Sequence, residues 1–313
     1  MALTRNSIIR GPCQVSYAGK TTYTKSDVRL SLGYSTFDIV NSAFGTVENR
    51  VEQRTATVEF EPVGVLSPTS INFWDYGTKL AGDPFLPADQ DNNLVIWSYY
   101  GTGTRVTIFN ASPTKLPDLI LATTKTVAGP VTFTGLGKGL PSLVDQDTPD
   151  SFAFFEENVG KPSDDFNPDE VITETYSAHV GSLASPWDDL HTAAGWTCSF
   201  DLNLQPVTVD SHGLIDWTIG NVTAKARAQL IGITETQAKS ALLTLDVKRG
   251  TPIVYNSLVI AGTHINLTLT SAAAKIIPMQ WGLNTLRLAD VEFTGVRTTS
   301  GGKVQPVYTL TIS

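Results

Sequence analysis

The chain has 313 residues, of which 41% are hydrophobic and 17% are charged, so it is long enough for two globular units with separate cores. Its net charge of −8 argues against a protein that grips nucleic acid phosphates, because such surfaces are basic. No apolar run approaches the ~20 residues of a membrane span. The N-terminus lacks the apolar stretch of a secretory signal. The two cysteines are too few for a disulfide framework, so we expect a cytoplasmic origin.

In chain order, the dominant pattern is the alternation of apolar and polar residues that marks half-buried antiparallel strands. It predicts strands over residues 55–63, 104–112, 131–136, 224–233, 263–270, 291–296 and 306–313. Two helices interrupt them. One is predicted over 67–80, with a capping serine followed by proline, and the other over 234–245, with a capping threonine. The chain is therefore predicted to be mainly β.

The sequence contains two nearly identical strands, VTFTGL from Val131 and VEFTGV from Val291. Around them the same order of strands and one helix occurs twice, which indicates an internal duplication. We predict a first domain over 1–140, an acidic linker over 141–170 and a second domain over 171–313. Residues 141–190 hold twelve acidic residues and one lysine, which is typical of an exposed segment.

If Cys13 and Cys198 occupy equivalent positions, the number of residues between equivalent positions is largest at the start of the two copies. It is smaller at the strands that precede the two helices, where VEFEPV at 58–63 aligns with AQLIGI at 228–233. We therefore predict that the first copy carries a long hairpin, within residues 33–54, that the second copy lacks.

No catalytic constellation emerges from the sequence. The four histidines lie in the second half and none accompanies a nucleophile elbow, and the glycines of TGLGKGL lack the spacing of a phosphate-binding loop. The WDDLH stretch at 187–191 has no second histidine at ligand spacing, so we expect an acidic loop and no metal site. The two cysteines are expected to be buried and unpaired. We predict neither an enzyme nor a cofactor.

Residues 1–64 resemble the opening of the major tail proteins, or tail tube proteins, of long-tailed bacteriophages. The resemblance rests on RGP at 10–12, YTKSDV at 23–28, SAFG at 42–45 and VEFEPVG at 58–64. It implies two tandem β-sandwich or barrel domains, each with one flanking α-helix. It also implies a structural virion protein, assembled in the host cytoplasm into the phage tail.

In this family, subunits form rings whose inner sheets join across subunits around a channel. A chain with two tube domains would close its ring as a trimer with pseudo-sixfold symmetry, and stacked rings would make the tube. The resemblance further implies a tape measure protein and tail completion proteins as partners, genomic DNA passing through the lumen without specific binding, and no membrane.

The resemblance assigns contact with the next ring to two segments. One is the hairpin loop, where the matching residues are Ser42, Ala43, Phe44, Gly45, Val47, Glu48, Arg50 and Gln53. The other is the N-terminal arm, with Leu3, Arg5, Ile8 and Arg10.

An acidic or neutral wall lets DNA slide, because cationic walls bind phosphates through counterion release. We therefore predict that the polar face of the 55–63 strand, with Glu59 and Glu61, contributes to the lumen, or that its counterparts near Lys225 and Arg227 do. Two other classes remain open. One is a β-sandwich decoration or host-recognition protein of the virion, and the other is an enzyme with a carboxylate site.

Overall fold

The fold is mainly β, as predicted, and its sheets include one that curls into a half-barrel. The structure, a computed structural model, describes residues 13–25, 27–63, 71–78, 93–98, 103–122, 125–135, 153–157, 159–160, 171–181, 187, 189–209, 213–237, 249–250, 255–276, 279–281, 286–300 and 303–313.

The strands of the first half of the chain are β1 (Cys13–Tyr17), β2 (Lys20–Tyr23), β3 (Arg29–Asn41), β4 (Gly45–Phe60), β5 (Leu94–Ser98), β6 (Thr104–Ile108), β7 (Ala111–Lys115), β8 (Leu119–Ala122), β9 (Lys125–Ala128), β10 (Val131–Gly135) and β11 (Ala153–Glu157). Those of the second half are β12 (Ser177–Val180), β13 (His191–Thr192), β14 (Trp196–Asp201), β15 (Gln205–Val209), β16 (Gly213–Thr218), β17 (Thr223–Ile231), β18 (Asn256–Ala261), β19 (Ile265–Ile276), β20 (Met279–Trp281), β21 (Leu286–Gly295), β22 (Thr299–Ser300), β23 (Lys303–Val304) and β24 (Tyr308–Ile312).

The described strands form three main sheets. Five strands pair in the order β11-β6-β5-β1-β2, and four in the order β3-β4-β10-β7. An eleven-stranded sheet follows the order β12-β18-β19-β21-β17-β14-β8-β9, with β13, β20 and β24 attached to its sides. The hairpins β15-β16 and β22-β23 pair separately.

Alternation predicted the buried faces correctly. In β4, Val58 and Phe60 are buried while Glu59 is exposed. In β17 the buried residues are Ala224, Ala226, Ala228 and Leu230. The predicted 104–112 strand is instead two strands, β6 and β7, because the chain turns at Asn110, whose φ of 45° lies in the left-handed region that asparagine tolerates.

The two halves of the chain repeat the same strand pairings. Leu30 of β3 lies opposite Val58 of β4, and their equivalents in the second repeat, Cys198 and Ala226, lie opposite each other in β14 and β17. The next ladder also repeats, since Val131 opposes Phe60 and Val291 opposes Ala228. Even the register shift beside Thr132, between β10 and β7, recurs beside Glu292, between β21 and β19.

The pairings of the remaining strands also repeat between the two halves. The ladder β5-β6-β11 matches β18-β19-β24, and the ladder β1-β5 matches β12-β18, residue by residue. In this alignment β11, which lies inside the predicted 141–170 linker, corresponds to the last strand, β24. This part of the acidic segment therefore completes the first repeat.

Two expectations about the repeats are wrong. Cys198 corresponds by register to Leu30 and not to Cys13, so the alignment of the two cysteines has no structural basis. The second copy also carries the long hairpin. Gln205 opposes Thr218 in the second copy, just as Phe37 opposes Arg50 in the first. Nearer the turn, both hairpins have the same register shift.

The predicted helices are short in the described residues. Residues 73–78 of the first form a 3-10 helix, Phe73–Thr78, which Asn72 caps by accepting a 3.2 Å hydrogen bond from the Trp74 backbone NH. The second begins as predicted. Thr234 Oγ1 accepts from the Gln237 NH at 3.2 Å, and Gln237 Oε1 accepts from the Thr234 NH at 2.9 Å, a reciprocal cap. Beyond Gln237 the predicted helix lies outside the described residues.

The repeats share one sheet and one core. Strand β8 of the first half pairs with β14 of the second, with Leu119 opposite Cys198 and Leu121 opposite Trp196. All four side chains are buried in a cluster that draws residues from both repeats. The division at 1–140, 141–170 and 171–313 stays a prediction, and the β8-β9 hairpin reaches across it.

Candidate functional site

Among the described residues, no three His, Cys, Asp or Glu side chains are placed to hold a metal ion. Asp189 and His191 of the WDDLH stretch form a pair 3.2 Å apart, and both are exposed. Glu174 accepts hydrogen bonds from the backbone NH groups of His264 and Ile265, at 2.7 and 2.8 Å, so it holds the start of β19. These carboxylates have structural or exposed positions.

The cysteines are buried, as expected, and both thiols are free. Burial raises the pKa of the Cys13 thiol to about 11, and the nearby Asp27 adds to the shift. Burial also raises the pKa of Cys198, which packs in the core at the β8-β14 ladder. Neither thiol has the lowered pKa of a nucleophile.

The most developed site is the junction between the repeats. Besides the β8-β14 ladder, the Tyr308 hydroxyl of β24 donates a 2.7 Å hydrogen bond to the Trp74 carbonyl, and Trp74 Nε1 donates to the Pro117 carbonyl at 2.9 Å. The hydroxyls of Thr126 and Tyr176 lie 2.5 Å apart. An element of one repeat, the β8-β9 hairpin, thus completes the edge of the other.

The hairpin β3-β4 places most of the predicted inter-ring residues at one exposed tip. The turn is fixed by Asn41, whose side-chain oxygen accepts from the Ala43 NH at 2.8 Å, and by Gly45, whose φ is 77°. Ser42, Phe44 and Val47 are exposed there.

Behind that tip, Glu48 and Arg50 form an exposed ion pair at 3.1 Å. Gln53 lies farther along β4, opposite Ser35. The arm residues Leu3, Arg5, Ile8 and Arg10 lie outside the described residues. Contact of these residues with another ring stays a prediction.

The solvent-side face of the two repeated sheets is polar and mixes both signs of charge. Glu59 and Glu61 lie on this face in the first repeat, and Lys25 pairs with Glu61 at 2.6 Å. By register, Arg227 takes the position of Glu59 in the second repeat.

Glu292 pairs with both bases of the second repeat and offsets part of their positive charge. Its carboxylate lies 3.1 Å from Lys225 Nζ and accepts a hydrogen bond from the Arg227 guanidinium. Burial raises the pKa of Glu292, but the hydrogen bonds from the two bases outweigh it and lower the pKa below its ordinary value of 4.5. The carboxylate is therefore charged at neutral pH and occupies both bases.

Replacing Glu292 with glutamine is expected to lower the free energy of unfolding by about 1–2 kcal/mol at pH 7, since it removes charged hydrogen bonds from a largely buried position. A lowered native pKa stabilises the fold above pH 4.5, and this contribution is lost as the pH falls through the native value. Urea denaturation of wild type and variant from pH 7 to pH 3 should show the difference shrinking below pH 4.5. Glu59→Gln, at an exposed position, should stay within about 0.5 kcal/mol of wild type. A pH-independent loss for Glu292→Gln would contradict the ion-pair explanation.

No family model and no curated protein matches the chain. In the described residues, no helix has the length and apolar character to cross a membrane. The junction was missed by sequence reasoning. The sequence does contain a signal for the hairpin, because alternate residues of LPDLILATTKTVAGP, residues 116–130, are apolar. Pairing with a strand as distant in sequence as β14 leaves no local pattern.

Proposed function

We propose that the chain is a structural protein of the virion of a long-tailed phage and polymerises into the tail tube. The observation that carries the proposal is the junction: the first repeat completes the sheet edge of the second through β8 and β14. A unit that joins a copy of itself edge to edge within one chain has the geometry to do so between chains. Three chains would supply six such units, the number that the family resemblance implies for one ring.

The polar face supports a role as the wall of a DNA channel. The carboxylates of Glu61 and Glu292 offset much of the positive charge of Lys25, Lys225 and Arg227. Glu59 lies opposite Arg29 on the same face. Threonine and serine hydroxyls occupy much of the remaining face, including Thr57, Thr132, Thr134, Thr197 and Ser199. Because DNA affinity grows with the number of phosphates neutralised, this face favours passage over binding.

The long hairpins support stacking. Each repeat carries one, β3-β4 or β15-β16 with its flanking strands, so a ring of three chains would present six. Exposed Phe44 and Val47 at the tip of the first are suited to bury apolar surface against a neighbouring ring.

Negative-stain electron microscopy of the purified protein at increasing concentration tests the proposal. We expect rings of one diameter, and tubes of the same diameter when rings stack. A decoration or recognition module would remain a monomer or a small closed oligomer, and so would an enzyme. Monodisperse monomers at high concentration would therefore contradict the tube assignment.

A further inference from the structure

The second repeat carries its own counterpart of the β8-β9 hairpin. Leu119 opposes Ala128 in β8-β9, and their equivalents in the second repeat, Met279 and Leu288, oppose each other in β20 and the start of β21. Both hairpins lie between equivalent strands, β7 and β10 in one repeat and β19 and β21 in the other. The chain therefore has two donor hairpins of the same register, and the first already pairs with β14.

The matching acceptor edge lies at the end of a sheet. By register β3 corresponds to β14, but β3 is the end strand of its sheet and, in the part of the chain that the structure describes, pairs only with β4. An open edge of this kind is a template for a further strand.

Side-chain burial shows what the edge lacks. In β14 and just after it, Cys198, Phe200 and Leu202 are 0%, 7% and 3% exposed. The equivalent residues of the first repeat, Leu30, Leu32 and Tyr34, are 36%, 63% and 71% exposed. Three apolar residues at alternate positions of one strand, all exposed, form a surface that is suited to being covered. In the second repeat, β8 pairs beside Cys198, and Tyr308 of the same repeat packs on Phe200. Among the described residues, no strand other than β4 pairs with β3, and we look for its cover in another molecule.

We propose that the occupant of this edge is a second copy of the chain, whose β20 pairs antiparallel with β3. The register follows from the internal junction, where Leu119, Ile120 and Leu121 oppose Cys198, Thr197 and Trp196. We transfer this register to the equivalent residues of the other repeat. Met279 then lies opposite Leu30, Gln280 opposite Arg29, and Trp281 opposite Val28.

This contact is head-to-tail, since each chain offers one donor hairpin and one acceptor edge. Such heterologous contacts close into a ring or run on as a filament, according to the rotation between copies. The closed ring rests on the proposed function, whereas the β3-β20 pairing rests on the repeated registers alone.

A cysteine pair tests the register. In the double variant Arg29→Cys/Gln280→Cys, mild oxidation is expected to join chains by disulfides, because directly opposed residues in an antiparallel pair have Cα atoms about 4.5–5.5 Å apart, within disulfide range. A non-reducing gel should show a ladder of covalent oligomers that ends at the size of the closed ring. Either single variant, and the wild type with its two buried thiols, should give no ladder.

Two further variants serve as matched controls. Ile120→Cys/Thr197→Cys, at the internal junction, should form a disulfide within one chain and no ladder. Ser31→Cys/Gln280→Cys places the thiols out of register, roughly 7–8 Å apart by Cα, and should cross-link at least ten times more slowly.

The outcomes separate this pairing from the proposed function when the same samples are viewed by electron microscopy. Rings or tubes without the Arg29–Gln280 cross-link would overturn the pairing and leave the tube function standing. The cross-link in samples that hold only filaments without a lumen would support the pairing and overturn the tube function. Monomers without any cross-link would overturn both, and equal cross-linking of the out-of-register variant would overturn the proposed register.

Discussion

Replacing Leu32 with aspartate is expected to leave the chain folded and to abolish its assembly. The Leu32 side chain is largely exposed in the single chain, so the substitution should change the free energy of unfolding by no more than about 0.5 kcal/mol. In the proposed ring, Leu32 would lie beside the paired residues 28–30, at the interface between chains. There an unpaired carboxylate would be desolvated, at a cost of several kcal/mol per contact.

The matched control is Phe200→Asp, because register makes Phe200 the equivalent of Leu32. Phe200 is buried and its ring centroid lies 4.6 Å from that of Tyr308. This variant is expected to lose at least 4 kcal/mol of stability, roughly the cost of leaving a charge unpaired in a core, and to accumulate as insoluble protein.

Thermal denaturation together with light scattering measures both effects. Leu32→Asp should keep a melting curve close to that of the wild type while its scattering remains that of a monomer at all concentrations. If Leu32→Asp assembles as the wild type does, the exposed side of β3 is not an assembly surface. The two variants compare a position that is buried within the chain, against Tyr308, with an equivalent position that the proposed pairing would cover between chains.

The local parts of the fold could be predicted from the sequence. Alternation in β4 and β17 identifies the buried faces, because successive side chains of a strand point to opposite sides. The two copies of the FTG strand occupy equivalent positions in β10 and β21, as their similarity indicated. The reciprocal cap of Thr234 and Gln237 also follows from short-range sequence.

The pairings of distant strands could not be predicted in the same way. Alignment of Cys13 with Cys198 relied on a short match of residue types, whereas the structural equivalence of Cys198 with Leu30 is defined by its hydrogen-bonded partner in β17. That alignment made the first hairpin appear longer than the second, whereas the strand registers show that the two hairpins are equivalent. The position of β3 at the edge of its sheet could not be predicted either. An edge strand is defined by which distant strands pair with it, and this pairing leaves no pattern in the local sequence.

Because the ladders repeat, the proposed assembly would require little new structure. One junction, β8 on β14, is made within the chain at an effective concentration that no separate molecule reaches. The proposed equivalent contact at β3 would use the same backbone geometry but would depend on protein concentration. The chain is therefore expected to fold first, with its internal junction closed, and to assemble afterwards.

Replacing Gly195 with alanine is expected to break the internal junction. Gly195 has a φ of +88°, and a Cβ atom there would overlap the Leu121 carbonyl oxygen and lie 2.8 Å from Ala122 Cα. Both contacts are with the backbone of β8, which is held by the ladder to β14 and has no free side-chain end to move aside. Backbone strain and the overlap together should cost about 3–5 kcal/mol, a large fraction of the stability of a typical domain.

Gly232→Ala is the control that separates the cost of backbone strain from the cost of the steric overlap. Gly232 also has a positive φ, +67°, but a Cβ atom there would meet nothing within 4 Å, so the substitution should cost only the strain, about 1 kcal/mol. Urea denaturation followed by tryptophan fluorescence measures both variants, since Trp196 directly follows Gly195 and is buried at the junction. Equal losses for the two variants would mean that β8 shifts away from Gly195 at no cost. In that case the junction would be a loose contact, and the rigid edge-to-edge geometry that the proposed ring requires would lack its support.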